Sequence, residues 1–109
     1  MTPDLMARWQ AALDDFATTM RRDRLADSTC ARIVKQVRRF ATDVNEAPYD
    51  VTATMLVAWL ELLTCSRATR YAYRTSLKTF YRWAYRAGRI DHDITNSDAS
   101  HPLDRKSVV

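Results

Sequence analysis

The chain has 109 residues, 47% hydrophobic and 28% charged, with a formal net charge of +4, a balance that suits one domain with its own core and excludes a disordered chain. No apolar run approaches the ~20 residues that a membrane helix needs, and the opening MTPDLMARWQ lacks the apolar core of a signal peptide. A single glycine excludes glycine-rich phosphate loops and the dinucleotide GxGxxG turn, and argues against a hairpin-rich β fold. Cys30 and Cys65 form no disulfide framework, so reduced thiols in the cytoplasm are expected.

Four segments carry the 3.6-residue period of a helix. The first follows Pro3 and Asp4, places Met6, Trp9, Leu13, Phe16, Ala17 and Met20 on one face, and ends in Arg21, Arg22 and Arg24, which suit a helix C-terminus. The second has a start signal in Asp27-Ser28-Thr29 and a stripe of Cys30, Ile33, Val34, Val37, Phe40, Ala41 and Val44, until Pro48 forces a break. The third starts at Thr52, a good N-cap, and its body MLVAWLELLTC is apolar nearly all round, which predicts a helix at the centre of a bundle. The fourth opens at Ser66 and buries Tyr73, Leu77, Phe80, Tyr81 and Ala84, with Gly88 placed to end it. After Ile90 the period stops, and the remainder has the composition of a tail or linker.

The fourth segment also carries an unusual charge pattern. From Ser66 to Ile90 there are seven basic residues (Arg67, Arg70, Arg74, Lys78, Arg82, Arg86 and Arg89) and no acid. With Leu77 at the centre of the buried face, Arg67, Tyr71, Arg74, Lys78, Arg82 and Tyr85 fall within about 60° to 140° of it, a single stripe. In the second segment Ser28, Arg32, Lys35 and Arg39 lie roughly opposite Val37, and no acid occurs from Ser28 to Thr42. That segment adds four basic residues (Arg32, Lys35, Arg38, Arg39), so seven plus four, or eleven, of the chain's seventeen stand in two acid-free stretches.

A solvated helix face normally mixes signs, because Glu-to-Lys pairs at i,i+4 stabilise it. Cations without such partners repel each other, which points to an external polyanion. Duplex DNA offers roughly one charge per 1.7 Å of axis, and arginine forks onto phosphate or guanine edges. A single-strand binder would present stacking rings; here Tyr73, Phe80 and Tyr81 point inward, so duplex is preferred. A competing reading is a stand-alone helical interaction module that docks on an acidic protein. Metal chemistry has little support: His92 and His101 lack cysteine companions, and Asp91 and Asp93 beside His92 do not complete a four-ligand spacing. Asp14 and Asp15 point apart on a helix, as a solvated face does. No metal, cofactor or small-molecule substrate is expected.

The phrases LADSTCARIVKQVRRFATDV, YDVTATMLVAWLELL and SRATRYAYRTSLKTFYRWAYRAGRI together resemble the core-binding domain of tyrosine recombinases, the phage-integrase family. The points of likeness are the Ser28-Thr29 start before an aromatic at Phe40, the Val51-Thr52 step, and the Ser66 and Thr69 start. Leu77, Phe80, Tyr81 and Trp83 match a Leu-x-x-Phe-Tyr-x-Trp pattern, followed by Gly88-x-Ile90; the Asn-Pro that often comes next is absent. The resemblance implies an all-α, four-helix SAM-like bundle over residues 1–94, with 95–109 a tail or interdomain linker. It implies that the second and fourth helices clamp double-stranded DNA, beside other recombinase protomers, in site-specific recombination and DNA integration in a bacterial or phage-infected cell.

Charge and resemblance together name the DNA contacts: Ser28, Thr29, Arg32, Lys35 and Arg39 on the second helix, and Ser66, Arg67, Thr69, Arg70, Tyr71, Arg74, Lys78 and Arg82 on the fourth. The family's catalytic Arg, Lys, His-x-x-Arg and Tyr belong to a separate C-terminal domain with no counterpart here, so no catalytic residue is expected. A regulator that occludes recombination sites is a further alternative within this resemblance.

Overall fold

The computed structural model describes residues 2–95. They form four helices, α1 (Pro3–Arg22), α2 (Asp27–Val44), α3 (Ala53–Leu62) and α4 (Arg67–Arg86), and no strand among the described residues. No described helix is long and apolar enough to cross a membrane. The fold is the all-α four-helix bundle that the periodicity predicts.

Local chemistry sets most of the helix ends. Thr2, Thr52 and Ser66 each accept a backbone N–H three residues on, from Leu5, Met55 and Thr69, at 3.1–3.2 Å. The start signal read at Asp27-Ser28-Thr29 is shifted in the structure: the N-cap is Ala26, without a side-chain cap bond, and Asp27 stands inside the first turn. There its charge faces the positive end of the helix dipole instead of accepting an amide. α4 ends in a Schellman motif, with Gly88 at φ 76° and the Arg89 amide donating to the Ala84 carbonyl at 2.8 Å. The same motif ends α1, but its left-handed residue is Arg24 at φ 66°, with the Leu25 amide on the Met20 carbonyl at 3.1 Å.

α2 and α4 form the central pair, α1 packs on both, and α3 leans on α2 and α4 only. Val37 and Phe40 of α2 and Leu77, Phe80 and Tyr81 of α4 are completely buried. Around them Trp9 stacks on Phe80 at 5.8 Å, Phe16 meets Phe80 edge-on at 5.2 Å, and Phe40 meets Trp59 edge-on at 5.1 Å. Each polar ring atom in this cluster has a partner: Trp9 Nε1 donates to the Glu46 carbonyl at 2.7 Å, Trp59 Nε1 to Asp43 at 2.9 Å, and Trp83 Nε1 to Thr19 Oγ1 at 3.1 Å. Tyr81 donates its buried hydroxyl proton to the Pro48 carbonyl at 3.0 Å, tying α4 to the loop after α2.

The expectation for the third helix is corrected. α3 is peripheral, burying Leu56, Trp59 and Leu60 while Val57 and Leu62 are 51% and 79% exposed. Ten residues with neighbours on one side only cannot be covered all round, however apolar they are. Met6, read as part of the α1 core face, is exposed, and Ala12 takes the buried position. Beyond α4, Ile90 and Ile94 still pack against the core, so the folded unit continues past Ile90. The tail expected over 95–109 lies, apart from Thr95, outside the described residues, as does His101.

Two substitutions test these assignments by chemical denaturation. Phe80→Ala should destabilise by about 3–5 kcal/mol, through a cavity where α1, α2 and α4 meet. Arg24→Gly should stabilise by up to about 1 kcal/mol, because an L-residue in the left-handed region is strained and glycine is not.

Candidate nucleic-acid interface

α2 and α4 are pinned together at the level of both basic stretches. Ser76 is buried and donates its hydroxyl proton to the Gln36 side-chain oxygen. Gln36 follows Lys35, and Ser76 lies between Arg74 and Lys78, so the contact between the helices stands at the middle of both stripes. Serine is small enough to let the two backbones approach, and its hydroxyl is satisfied by the pairing.

On α2, Ser28, Arg32, Lys35 and Arg39 are exposed and Thr29 is half-buried. On α4, Arg67, Tyr71, Arg74, Lys78 and Arg82 are exposed, with Tyr71 at 67%. Ser66 and Thr69 are exposed at the start of α4, where the Ser66 hydroxyl donates to Thr69 Oγ1 at 2.9 Å. Among the described residues, Arg32, Lys35, Arg67, Arg74, Lys78 and Arg86 form no ion pair. Their charge faces solvent.

Other cations have work inside the protein. Arg70 is the clearest correction: its Nε donates to the Leu60 carbonyl at 3.0 Å and its Nη2 to the Leu63 carbonyl at 2.9 Å. It lies only about 20° from Leu77 around the helix, so it reaches back over the bundle and caps the carbonyl end of α3. Arg89 bridges three elements, donating to Asp15 of α1 at 3.0 Å and to the Tyr49 hydroxyl at 2.9 Å, with its guanidinium 5.3 Å from the Trp83 ring centre.

Two stripe cations do have acids nearby, which the sequence reading left out. Arg39 Nε lies 3.4 Å from Asp43, the first residue after the acid-free stretch, and Asp43 also accepts the Trp59 bond. The i,i+4 spacing of Arg39 and Asp43 was the available signal. Arg82 Nε lies 3.9 Å from Asp93, which the chain brings back after α4; no local spacing reveals that pair. Both arginines are about half exposed, and such surface pairs are worth only about 0–1 kcal/mol. A phosphate can compete for either. Gln36 and Ser76 were also missed, since a buried polar pair between helices has no periodic signature.

The tyrosines divide clearly. Burial holds the Tyr81 phenol well above its ordinary value, with Tyr49 adding to the shift. Burial also raises Tyr49, partly offset by Arg89. Tyr73 meets Trp59 edge-on at 5.5 Å, and Tyr71 and Tyr85 are exposed beside the cations. Among the described residues no three His, Cys, Asp or Glu side chains cluster as metal ligands would.

No protein-family model matches the chain, and no curated protein matches it. Among solved structures, it is similar to the integrase from mycobacterium phage Brujita, with a TM-score of 0.74 at 23% sequence identity. The fold is integrase-related. The match covers 89% of this chain and 34% of the phage protein, so the chain spans about a third of that integrase's length.

The division of arginines is testable by thermal and chemical melts. Arg70→Ala should destabilise by about 1–3 kcal/mol, since two partly buried carbonyls lose a charged donor. Arg74→Ala, on the exposed stripe, should stay within about 0.5 kcal/mol of the parent.

Proposed function

We propose that this integrase-related bundle binds duplex DNA as the core-binding domain of an integrase-like tyrosine recombinase, and carries out no chemistry itself. The observation that carries this reading is the set of exposed cations on α2 and α4, unpaired among the described residues, on the two helices whose contact is pinned by Gln36 and Ser76. Like charges held this close on rigid helices repel each other, and phosphates relieve the repulsion while releasing counterions. Arg32, Lys35, Arg39, Arg67, Arg74, Lys78 and Arg82 contact the backbone or base edges. Ser28, Thr29, Ser66, Thr69 and Tyr71 add hydroxyl donors near the starts of the same two helices. Arg70 acts through the fold. The likeness to a phage integrase supports the assignment, with recombination or integration as the process and other recombinase protomers as neighbours on the DNA.

The non-catalytic part of the reading rests on the tyrosines. A phosphoryl-transfer nucleophile needs cationic and acid–base companions. Tyr81 is buried on a carbonyl, and Tyr49 has one arginine, Arg89, which Asp15 shares. Tyr71 and Tyr85 are exposed among cations, and the nearest histidine in the sequence, His92, lies against Asp91 at 2.6 Å.

A salt-series titration on duplex DNA tests the interface. If Arg32, Lys35, Arg39, Arg67, Arg74 and Lys78 each neutralise a phosphate, log K against log salt should slope about −5. Arg74→Ala should reduce that slope by about one if it contacts phosphate, or cost about 1–3 kcal/mol and relax sequence preference if it forks onto guanine. Measurable binding with a flat salt response would remove the stripes from the interface. Incubation with supercoiled DNA should trap no covalent adduct; a phosphotyrosyl link at any tyrosine would overturn the non-catalytic reading.

A further inference from the structure

A groove of about 440 Å³ runs between α1 and α2, on a side of α2 that the DNA reading does not use. Its floor is apolar and small-featured, with Leu13, Ala17, Cys30 and Val34. Four charges stand on its rim, Asp14 and Arg21 from α1 and Asp27 and Arg38 from α2, and all four are exposed. Among the described residues none of them is in an ion pair. Asp14 accepts a hydrogen bond from Gln10 of its own helix at 2.8 Å.

The order of these charges is the informative feature. α1 and α2 run antiparallel about the turn at 23–26, so Arg21 and Asp27 mark the turn end of the groove, and Asp14 and Arg38 the far end. Like signs therefore lie on the diagonals of the rim. The midpoint between Asp14 and Arg21 and the midpoint between Asp27 and Arg38 are each about five residues, or ~8 Å of helix, from the turn. The rim is thus a four-sided figure of alternating charge around an apolar centre, about 10 Å long on the α1 side and about 16 Å on the α2 side.

We propose that this groove is a self-association surface whose occupant is the same α1–α2 face of a second copy of the chain. A closed two-fold contact requires a patch that complements itself. This rim does so for either two-fold axis lying in the plane of the face. With the axis along the groove, Arg21 meets Asp27 of the second copy and Asp14 meets Arg38. With the axis across it, Arg21 meets Asp14 and Asp27 meets Arg38. A uniformly acidic or basic partner would instead meet two repelling corners. Ala17 and Val34 at the centre let the two faces approach closely. Lys35 and Ser28 point about 100° away from this side of α2, so pairing leaves the DNA stripe open.

Sedimentation velocity on the full chain, without DNA, tests the surface apart from duplex binding. The weight-average mass should rise from one chain toward two as protein concentration increases, and fall back as salt screens the rim. An acid-rim variant (Arg21→Asp with Arg38→Asp) and a basic-rim variant (Asp14→Arg with Asp27→Arg) should each sediment as monomers. Their equimolar mixture should recover the dimer, whichever axis is used. Circular dichroism melts check that both variants fold. Should either fail, concentration-dependent amide shifts in the parent chain decide: confinement to residues 13–21 and 27–38 supports the surface, and shifts elsewhere overturn it. A parent chain that remains monomeric at every concentration overturns it, including when another protein or peptide enters the groove. So does self-association of the rim variants at the parent's level.

Discussion

The close approach of α2 and α4 is the constraint on which the rest of the bundle depends. Val37, Phe40, Leu77 and Phe80 are all completely buried, and interiors at crystal-like density leave no slack for a shifted register. Ser76 at the contact satisfies its hydroxyl on Gln36. Once that pair is set, Phe80 offers one ring face to Trp9 and one edge to Phe16, which fixes α1. Tyr81 reaches the Pro48 carbonyl and fixes the loop that delivers α3. The outward sides of α2 and α4 are then determined by geometry alone. Cations placed there stand on the two helices that carry the completely buried core, so the proposed DNA contact would order little backbone.

The same packing explains why the fold was so largely legible in the sequence. α2 and α4 are amphipathic with a single buried stripe, and a stripe at 3.6-residue spacing has only one way to face a core. α3 was harder because its sequence is apolar on every side, which carries no direction. Hydropathy measures what a helix tolerates, and the number of its neighbours decides what is buried. The apolar residues of α3 reach only α2 and α4, so Leu62 is left in solvent. Met6 and Ala12 show the same limit: they stand about 120° apart on α1, and Met6, in the first turn of the helix, is left exposed while Ala12, farther along, is buried.

For the candidate site, legibility stopped where charges have long-range partners. Arg67, Arg74 and Lys78 are exposed as their angles require. Arg70 differs because its angle lies at the core's edge, where a guanidinium can stretch to the unsatisfied carbonyls of another helix. The Arg82–Asp93 and Arg89–Asp15 pairs span 11 and 74 positions in the chain. Helical periodicity is blind to both separations. A run of basic residues without acids therefore contains two populations, and only three-dimensional packing separates the cations that hold the fold from those that face outward.

That separation bears on how fold likeness and charge support each other. The shared fold with a segment of a phage integrase is a statement about helix order and packing, and at 23% identity it transfers no residue roles. The charge pattern is a statement about this chain alone and needs no relative. Removing Arg70 and Arg89 from the outward set weakens the raw count of cations but strengthens the inference, because those remaining are no longer explained by the fold. Arg67, Arg74 and Lys78 fall on one exposed side of α4, and Arg32 and Lys35 on the side of α2 opposite Val37. Nothing in the packing requires a positive residue at any of these five positions. A side chain that the core does not need, repeated with one sign along two rigid helices, is best accounted for by what lies outside the bundle.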